Sequence, residues 1–334
     1  MQVWQIVSEG GIDKLELATR ESKMPEAGQV KVAVKASSIN YRDLATILDP
    51  AARGLVYPVV PNSDCAGEVV AVGQGVDTAL VGKRVTSCFF QNWQSGSCSV
   101  DAMNSALGGA LDGVLAEEVI LDEAGYIEIP DHMSFEQAAT LPCAALTAWN
   151  ALMGVGQIGK DSTVLLLGTG GVSIFALQMI KAMGARAIVT SSSDEKLKTA
   201  QSLGAWKTIN YQSFPHWEKQ VLELTDGHGV DLTVEVGGAG TLQKSIEATR
   251  VAGTIGLIGI LTGGEVNPVA IMRKSIRLQG IYVGSRDMFS SMNQFMSTHQ
   301  IEPVIHQVFD FNDAQAAYNT MKSAGHLGKI VISI

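Results

Sequence analysis

The chain has 334 residues, enough for two domains with a core each. Only 17% of residues are charged and 46% are hydrophobic, which excludes a disordered or fibrous chain. A net charge of −9 without basic runs excludes a nucleic-acid partner, and the apolar stretches are too short and too broken by glycine to span a membrane. Met1–Ser8 holds no cationic region or long apolar core, so no secretory signal is expected. Four cysteines, Cys65, Cys88, Cys98 and Cys143, form no CxxC pair, and the six histidines form no HExxH. That usage predicts a reducing, cytoplasmic setting.

Up to about Ile129 the chain reads as β-rich, with strands predicted at Val3–Val7, Val30–Ala36, Ala66–Val72, Arg84–Phe89 and Ala116–Leu121. Glycines punctuate them, and Asn104–Gly113 reads as a surface loop. Strand after strand with few long helices predicts a distorted barrel or sandwich. At Ser134 the pattern changes. Ser134, with Glu136 and Gln137 close behind, starts a helix in a capping style, and Ala138–Met153 is helix-rich around Pro142.

Strand and helix then alternate. The predicted strands are Val164–Leu167, Ala187–Thr190, Thr208–Asn210, Leu232–Val236, Thr254–Ile260 and Arg277–Val283. Helices fit between them at Val172–Met183, Asp194–Leu203, Pro215–Leu224, Thr241–Thr249 and Pro268–Lys274. Six strands so separated make a Rossmann-type, doubly wound parallel sheet in an α/β chain. Met288–Ile334 reads as two helices, Met288–His299 and Phe311–Ala324, and a terminal strand, Lys329–Ile334.

The first unit of the alternation carries a glycine fingerprint, Gly168-Thr169-Gly170-Gly171-Val172-Ser173. Gly168 allows the bend out of the strand, and Gly170 removes a Cβ where a pyrophosphate approaches. The helix N-terminus behind them favours the anion. The third fingerprint position is Ser173 rather than glycine, which predicts a slightly wider helix–strand spacing. At the end of the second strand, where NAD-binding chains place an acid, this chain has Thr190-Ser191-Ser192-Ser193. Asp194, the nearest acid, reads as the N-cap of the next helix. Ser191 and Ser192, with Lys196 one turn on and Tyr211, suit a 2′-phosphate, so NADP(H) is the expected cofactor.

These segments resemble the medium-chain dehydrogenase/reductase superfamily over nearly the whole chain. Ser38-Ile39-Asn40-Tyr41-Arg42-Asp43-Leu44 resembles its first active-site segment. Pro61-Asn62-Ser63-Asp64-Cys65-Ala66-Gly67-Glu68-Val69 resembles the segment carrying a histidine metal ligand in zinc-dependent members. Leu141–Trp149, Gly284-Ser285-Arg286 and Gly328-Lys329-Ile330-Val331 match further segments, and the nearest likeness is to the quinone-oxidoreductase-like branch.

The resemblance implies a GroES-like catalytic domain at residues 1–144 and 287–334, an NADP-binding domain at 145–286, and a homodimer formed through Arg277–Val283. Zinc-dependent members bind the catalytic metal through Cys, His and Cys; the matching positions here are Asn40, Ser63 and Cys143. An amide and a hydroxyl are poor zinc ligands beside imidazole and thiolate, so no metal is expected. The four-cysteine lobe of a structural zinc is also missing: Thr86–Asn104 has only Cys88 and Cys98.

The expected activity is hydride transfer from NADPH to a small apolar quinone or enone. Asn40 and Tyr41 are the candidate hydrogen-bond donors to the acceptor, with Ser63 and Thr147 nearby by family likeness and Asp64 orienting them. The likeness places Gly237, Ile258, Gly259, Ile260, Tyr282 and Val283 along the cofactor, and Lys329 at its pyrophosphate. Phe89, Phe90 and Trp93 are expected as either pocket wall or core. Two rival readings are an alcohol dehydrogenase acting on alcohols and a non-catalytic NADP-binding sensor.

Overall fold

Fifteen strands organise the chain in the computed structural model, which describes residues 1–334. Met1–Leu146 and Val283–Ile334 form one compact unit, and Thr147–Tyr282 forms the other. In chain order the first unit opens with β1 (Gln2–Ile6), β2 (Leu15–Thr19), β3 (Gln29–Ile39), β4 (Asp64–Val72), β5 (Arg84–Ser87), β6 (Glu118–Asp122) and β7 (Tyr126–Glu128). The second unit holds β8 (Thr163–Leu167), β9 (Arg186–Ser191), β10 (Lys207–Asn210), β11 (Val230–Glu235), β12 (Thr249–Leu257) and β13 (Arg277–Gly280). β14 (Ile305–Asp310) and β15 (Lys329–Ser333) complete the first unit.

The β-rich unit is built around β3. Val30, Val32 and Val34 alternate toward one face and are buried, as a half-buried strand requires. β3 pairs with β4 along its length, with β6 near its start and with β15 near its end, all antiparallel. β14, β5 and β7 extend the sheet, and β1 pairs with β2 apart from it. Ile39, Ile47, Val69, Leu115, Leu121, Ile330 and Tyr318 lie in one buried cluster. Each such aliphatic side chain contributes roughly 1.5–3 kcal/mol on leaving water.

The register of β3 decides what meets at its end. Ser38 stands opposite Asp64, the first residue of β4, and Ile39 stands opposite Ile330, the second residue of β15. Asn40, Asp64 and Lys329 therefore converge where three strand ends meet.

Several predictions need revision here. The helix Tyr41–Leu48 and strands β2, β7 and β14 form where none was expected. The stretch Asn104–Gly113 is not simply a surface loop: Ser105, Ala106 and Leu107 are buried, and the Leu107 N–H donates to Phe89 O at 3.1 Å. Of the two readings left open for Phe89, Phe90 and Trp93, burial agrees with core: they are 1%, 2% and 7% exposed.

The second unit is a six-stranded parallel sheet in the order β10-β9-β8-β11-β12-β13. This is the doubly wound order, reversing between β8 and β11, with ligand sites expected beyond the carboxyl ends of the strands at that reversal. β8 is buried at every residue and apolar at all but Thr163, because a central parallel strand is covered on both faces. The helix Gly171–Ala182 follows it, and Gly184, at φ +73°, ends that helix as the sequence suggests.

Gly67 in β4 gives a direct test of the packing. A Cβ there would lie 2.2 Å from Ala33 O on β3, a backbone atom that cannot swing away. Gly67→Ala is expected to destabilise the fold by about 1–3 kcal/mol in a denaturant melt; an unchanged midpoint would contradict this register.

Candidate active site

In the β-rich unit the three strand ends gather a buried polar cluster. Ser63 and Asp64 are fully buried, and Asp43, Asn40 and Lys329 are 1%, 8% and 3% exposed. Asp64 accepts from Ser63 Oγ on Oδ1 at 2.6 Å and from the Cys143 backbone N–H on Oδ2 at 3.0 Å. Leu141–Ala145 is a π-helical turn, a form common at functional sites, and it carries the Cys143 amide. The Lys329 ammonium donates to Ile39 O at 2.8 Å and to Asn40 Oδ1. The Asn40 backbone N–H donates to Asp43 Oδ2 at 2.8 Å, and the other Asp43 oxygen pairs with Arg42 at 3.1 Å. The Arg42 guanidinium lies over the Phe89 ring, 4.7 Å from its centroid.

Two acids and two bases thus balance in one cluster. Burial raises the Asp64 carboxyl above its ordinary range; the Lys329 charge opposes that and the Asp43 charge adds to it. Burial lowers the Lys329 ammonium, against the attraction of Asp64. Burial pushes the Cys143 thiol up, and the Asp64 charge adds to the effect, so it is a poor thiolate. Cys65 and Cys88 are pushed up to about 12 by burial.

Behind the cluster, Tyr318 Oη donates to Asn62 Oδ1, Asn62 Nδ2 donates to Ser37 Oγ at 3.0 Å, and Ser37 Oγ donates to Asp64 O at 2.9 Å. Asn62 adopts φ +69°, which asparagine tolerates better than most residues. The structure gathers Asn40, Ser63 and Asp64 as expected neighbours. Tyr41, the first residue of its helix, is 44% exposed. Thr147 is buried and belongs to the other unit. Lys329, expected at the pyrophosphate, has its ammonium engaged inside the β-rich unit.

In the second unit the turn after β8 has the glycine geometry the sequence predicts. Gly168 adopts φ +71°, and a Cβ on Gly170 would meet no protein atom within 4 Å, leaving open space before the helix. Gly171 and Val172 open that helix. Ser173 takes up the missing glycine position by donating from Oγ to Leu167 O at 2.7 Å.

Ser191, Ser192, Lys196 and Tyr211 lie at the carboxyl ends of β9 and β10. Tyr211 N–H donates to Ser191 O at 3.0 Å, and burial lowers the Lys196 ammonium. The expected cap is corrected: Ser193, not Asp194, is the N-cap, its Oγ accepting from the Lys196 N–H. Asp194 instead accepts from Asn210 Nδ2 at 2.6 Å.

Beyond β11 and β12, Gly237, Ile258 and Gly259 are held by Glu235, a residue the sequence does not single out. Its fully buried carboxylate accepts from the Gly237 and Gly238 N–H groups at 2.7 and 3.1 Å, from Thr241 Oγ1 at 2.7 Å and from Ser245 Oγ. Its backbone oxygen accepts from the Ile258 and Gly259 N–H groups, both at 2.9 Å. An acid one residue short of a double glycine at a strand end, Glu235-Val236-Gly237-Gly238, was the available signal. Ile260 and Tyr282 are exposed, and Val283 is buried at φ +60°, costly for a β-branched residue.

Comparison with known proteins now adds to this geometry. Residues 26–131 match the model of the alcohol dehydrogenase GroES-like domain, and 171–298 match that of the zinc-binding dehydrogenases. A zinc-type alcohol dehydrogenase-like protein of Schizosaccharomyces pombe is 41% identical over 97% of this chain and 96% of its own. A quinone oxidoreductase of Pseudomonas aeruginosa is 31% identical over 78% of this chain and 73% of its own. The crystal structure of an NAD-dependent alcohol dehydrogenase superposes with a TM-score of 0.91 at 30% identity, covering 100% of both chains. The chain belongs to the medium-chain dehydrogenase/reductase superfamily and is an oxidoreductase of that type. Its α/β architecture, a parallel sheet plus a GroES-like unit, is that of the family.

The zinc in one family description does not fit this cluster. Asn40 Oδ1 faces an ammonium, Ser63 Oγ gives its proton to Asp64, and Cys143 is the one strong ligand left. No three His, Cys, Asp or Glu side chains are grouped to hold a metal ion.

Proposed function

We propose that the protein is a metal-independent, NADPH-dependent reductase of small apolar quinones or α,β-unsaturated carbonyl compounds. The observation that carries this reading is the ammonium of Lys329 against Asn40 Oδ1, one of the three positions that match the metal ligands of zinc-dependent members. A simple ketone concentrates charge on one oxygen, which a metal stabilises well. A conjugated acceptor spreads that charge, and hydrogen-bond donors then suffice.

When bound, the nicotinamide supplies the hydride. For an enone the hydride adds to the β-carbon, the π electron pair moves onto oxygen as an enolate, and water protonates the α-carbon. Asn40 and Tyr41 donate to that oxygen, Ser63 and Asp64 hold the surrounding network, and Thr147 is a further donor. Gly168, Gly170, Gly171 and Val172 cradle the pyrophosphate. Ser191, Ser192, Lys196 and Tyr211 take the 2′-phosphate, with no carboxylate at Ser191 to repel it. Gly237, Ile258, Gly259, Ile260, Tyr282 and Val283 line the rest of the cofactor. The names of the curated relatives favour a second reading, oxidation of alcohols.

A panel of quinones, enones, aldehydes and alcohols, followed by nicotinamide absorbance with each cofactor, separates these readings. Enone or quinone reduction with NADPH is expected, and turnover of alcohols alone would reject it. On the same panel Ser191→Asp is expected to weaken NADPH about 10- to 100-fold, the loss of one charge-assisted contact. Equal NADPH affinity in both forms would remove the phosphate assignment.

The chain is further proposed to form a homodimer through β13, an edge strand with all four residues exposed, near Met272 at 68% exposure. Light scattering should give twice the chain mass, and Leu278→Arg should reduce it to one. A monomeric wild type would refute this.

A further inference from the structure

Glu235 ends β11, and its fully buried carboxylate gathers four donors, all of them neutral. The two oxygens serve different elements. Oε1 accepts from the Gly237 and Gly238 N–H groups and from Thr241 Oγ1, at the turn that opens the helix Ala239–Ala248. Oε2 accepts from Ser245 Oγ, farther along that helix. A buried carboxylate is costly to desolvate, and strand pairing does not need one. The backbone of Glu235 extends the hold: it stands opposite Leu257 on β12, and its oxygen accepts from Ile258 and Gly259 just beyond. Thr262 closes the arrangement. Its N–H and Oγ1 donate to Gly237 O at 3.0 and 2.8 Å, and its Oγ1 accepts from the Gly240 N–H at 3.1 Å. The turns after β11 and β12 are thus tied into one shape through one side chain.

Those turns lie across the sheet reversal from β9 and β10. In a doubly wound sheet each side of the reversal seats one nucleotide of a dinucleotide. With the 2′-phosphate side given to β9 and β10, the nicotinamide nucleotide falls to β11 and β12. We infer that Glu235 is a positioning residue that presets the seat of the nicotinamide nucleotide, acting by the reach of its carboxyl oxygens more than by its charge. This rests on the cofactor reading above and is independent of the acceptor. A turn left unheld has to be ordered by the cofactor at each binding, which lowers the apparent affinity.

The test compares Glu235→Gln, Glu235→Asp, Thr241→Val and Thr233→Val in the full chain. Gln keeps the length and an oxygen for the turn, and its NH2 can donate to Ser245 Oγ. Asp keeps the charge and falls one methylene short. Thr241→Val removes one Oε1 contact with Glu235 in place, and it decides the matter if E235D fails to fold. Thr233, fully buried on the same strand and bonded to Thr249 Oγ1 at 2.8 Å, controls for lost stability away from the turn. Dissociation constants are measured for NADPH and for adenosine 2′,5′-bisphosphate, which lacks the nicotinamide half, beside a thermal melt. E235D should weaken NADPH about 10- to 100-fold and T241V about 10-fold, the scale of one or two hydrogen bonds. E235Q should stay within about fivefold of wild type, and T233V within about twofold whatever its melt. All forms should bind the bisphosphate within about twofold of wild type. Wild-type NADPH affinity in E235D, or an E235Q no better than E235D, would overturn the inference. So would a bisphosphate weakened in step with NADPH, or a T233V that loses as much NADPH affinity as E235D. A wild type that binds NADH and not NADPH would defeat the phosphate assignment instead. The same comparison with NADH and AMP would then decide the role of Glu235.

Discussion

A buried ammonium is tolerated only where the surroundings answer its charge, and the β-rich unit is arranged around that demand. Isolated, a charge out of water is opposed by several kcal/mol. Lys329 is answered by two oxygens, Ile39 O and Asn40 Oδ1, and by the nearby charges of Asp64 and Asp43. Those groups arrive together because β3, β4 and β15 keep one register, which sets Ser38 against Asp64 and Ile39 against Ile330. A one-residue slip of β15 would turn its side chains to the other face and withdraw the ammonium. The backbone ladder and the polar cluster therefore specify each other.

The other unit solves a different problem with the same economy. Its sheet order places the ends of β8, β9, β11 and β12 where a dinucleotide binds in this fold. What holds those ends is partly invisible in a fingerprint. Glu235 ties the Gly237–Gly238 turn to the end of β12 with its side chain and its backbone oxygen. Gly259 must be glycine because a Cβ there would overlap Val236 O at 1.9 Å. Ser173 replaces a glycine contact with a hydrogen bond to Leu167 O, so the departure from the usual pattern is absorbed locally.

Much of this was legible in the chain because its signals are local. The apolar run of β8, the glycine turn and the helix behind it lie within twenty residues, and each follows from short-range physics. What was not legible depends on distant partners. β14 has little alternation, since most of its side chains are exposed, and it exists because β15 offers a parallel edge. Ala106 and Leu107 sit in a glycine-rich stretch that composition reads as surface, yet Leu107 hydrogen-bonds to Phe89 and is buried. Lys329 bears no local sequence relation to its partner Asn40, which lies 289 positions earlier in the chain. The residue types at Asn40, Ser63 and Cys143 could be read as a lost metal site, but only the fold brings the Lys329 ammonium against Asn40.

The account stands on a cluster whose charge is supplied by the chain itself. Its most direct test is elemental analysis of turnover-competent enzyme, with enone reduction measured before and after prolonged chelation. The account predicts far less than one equivalent of any transition metal per chain and a rate that chelation leaves intact. One tightly held zinc per chain, with a rate lost on its removal and restored by its return, would contradict it.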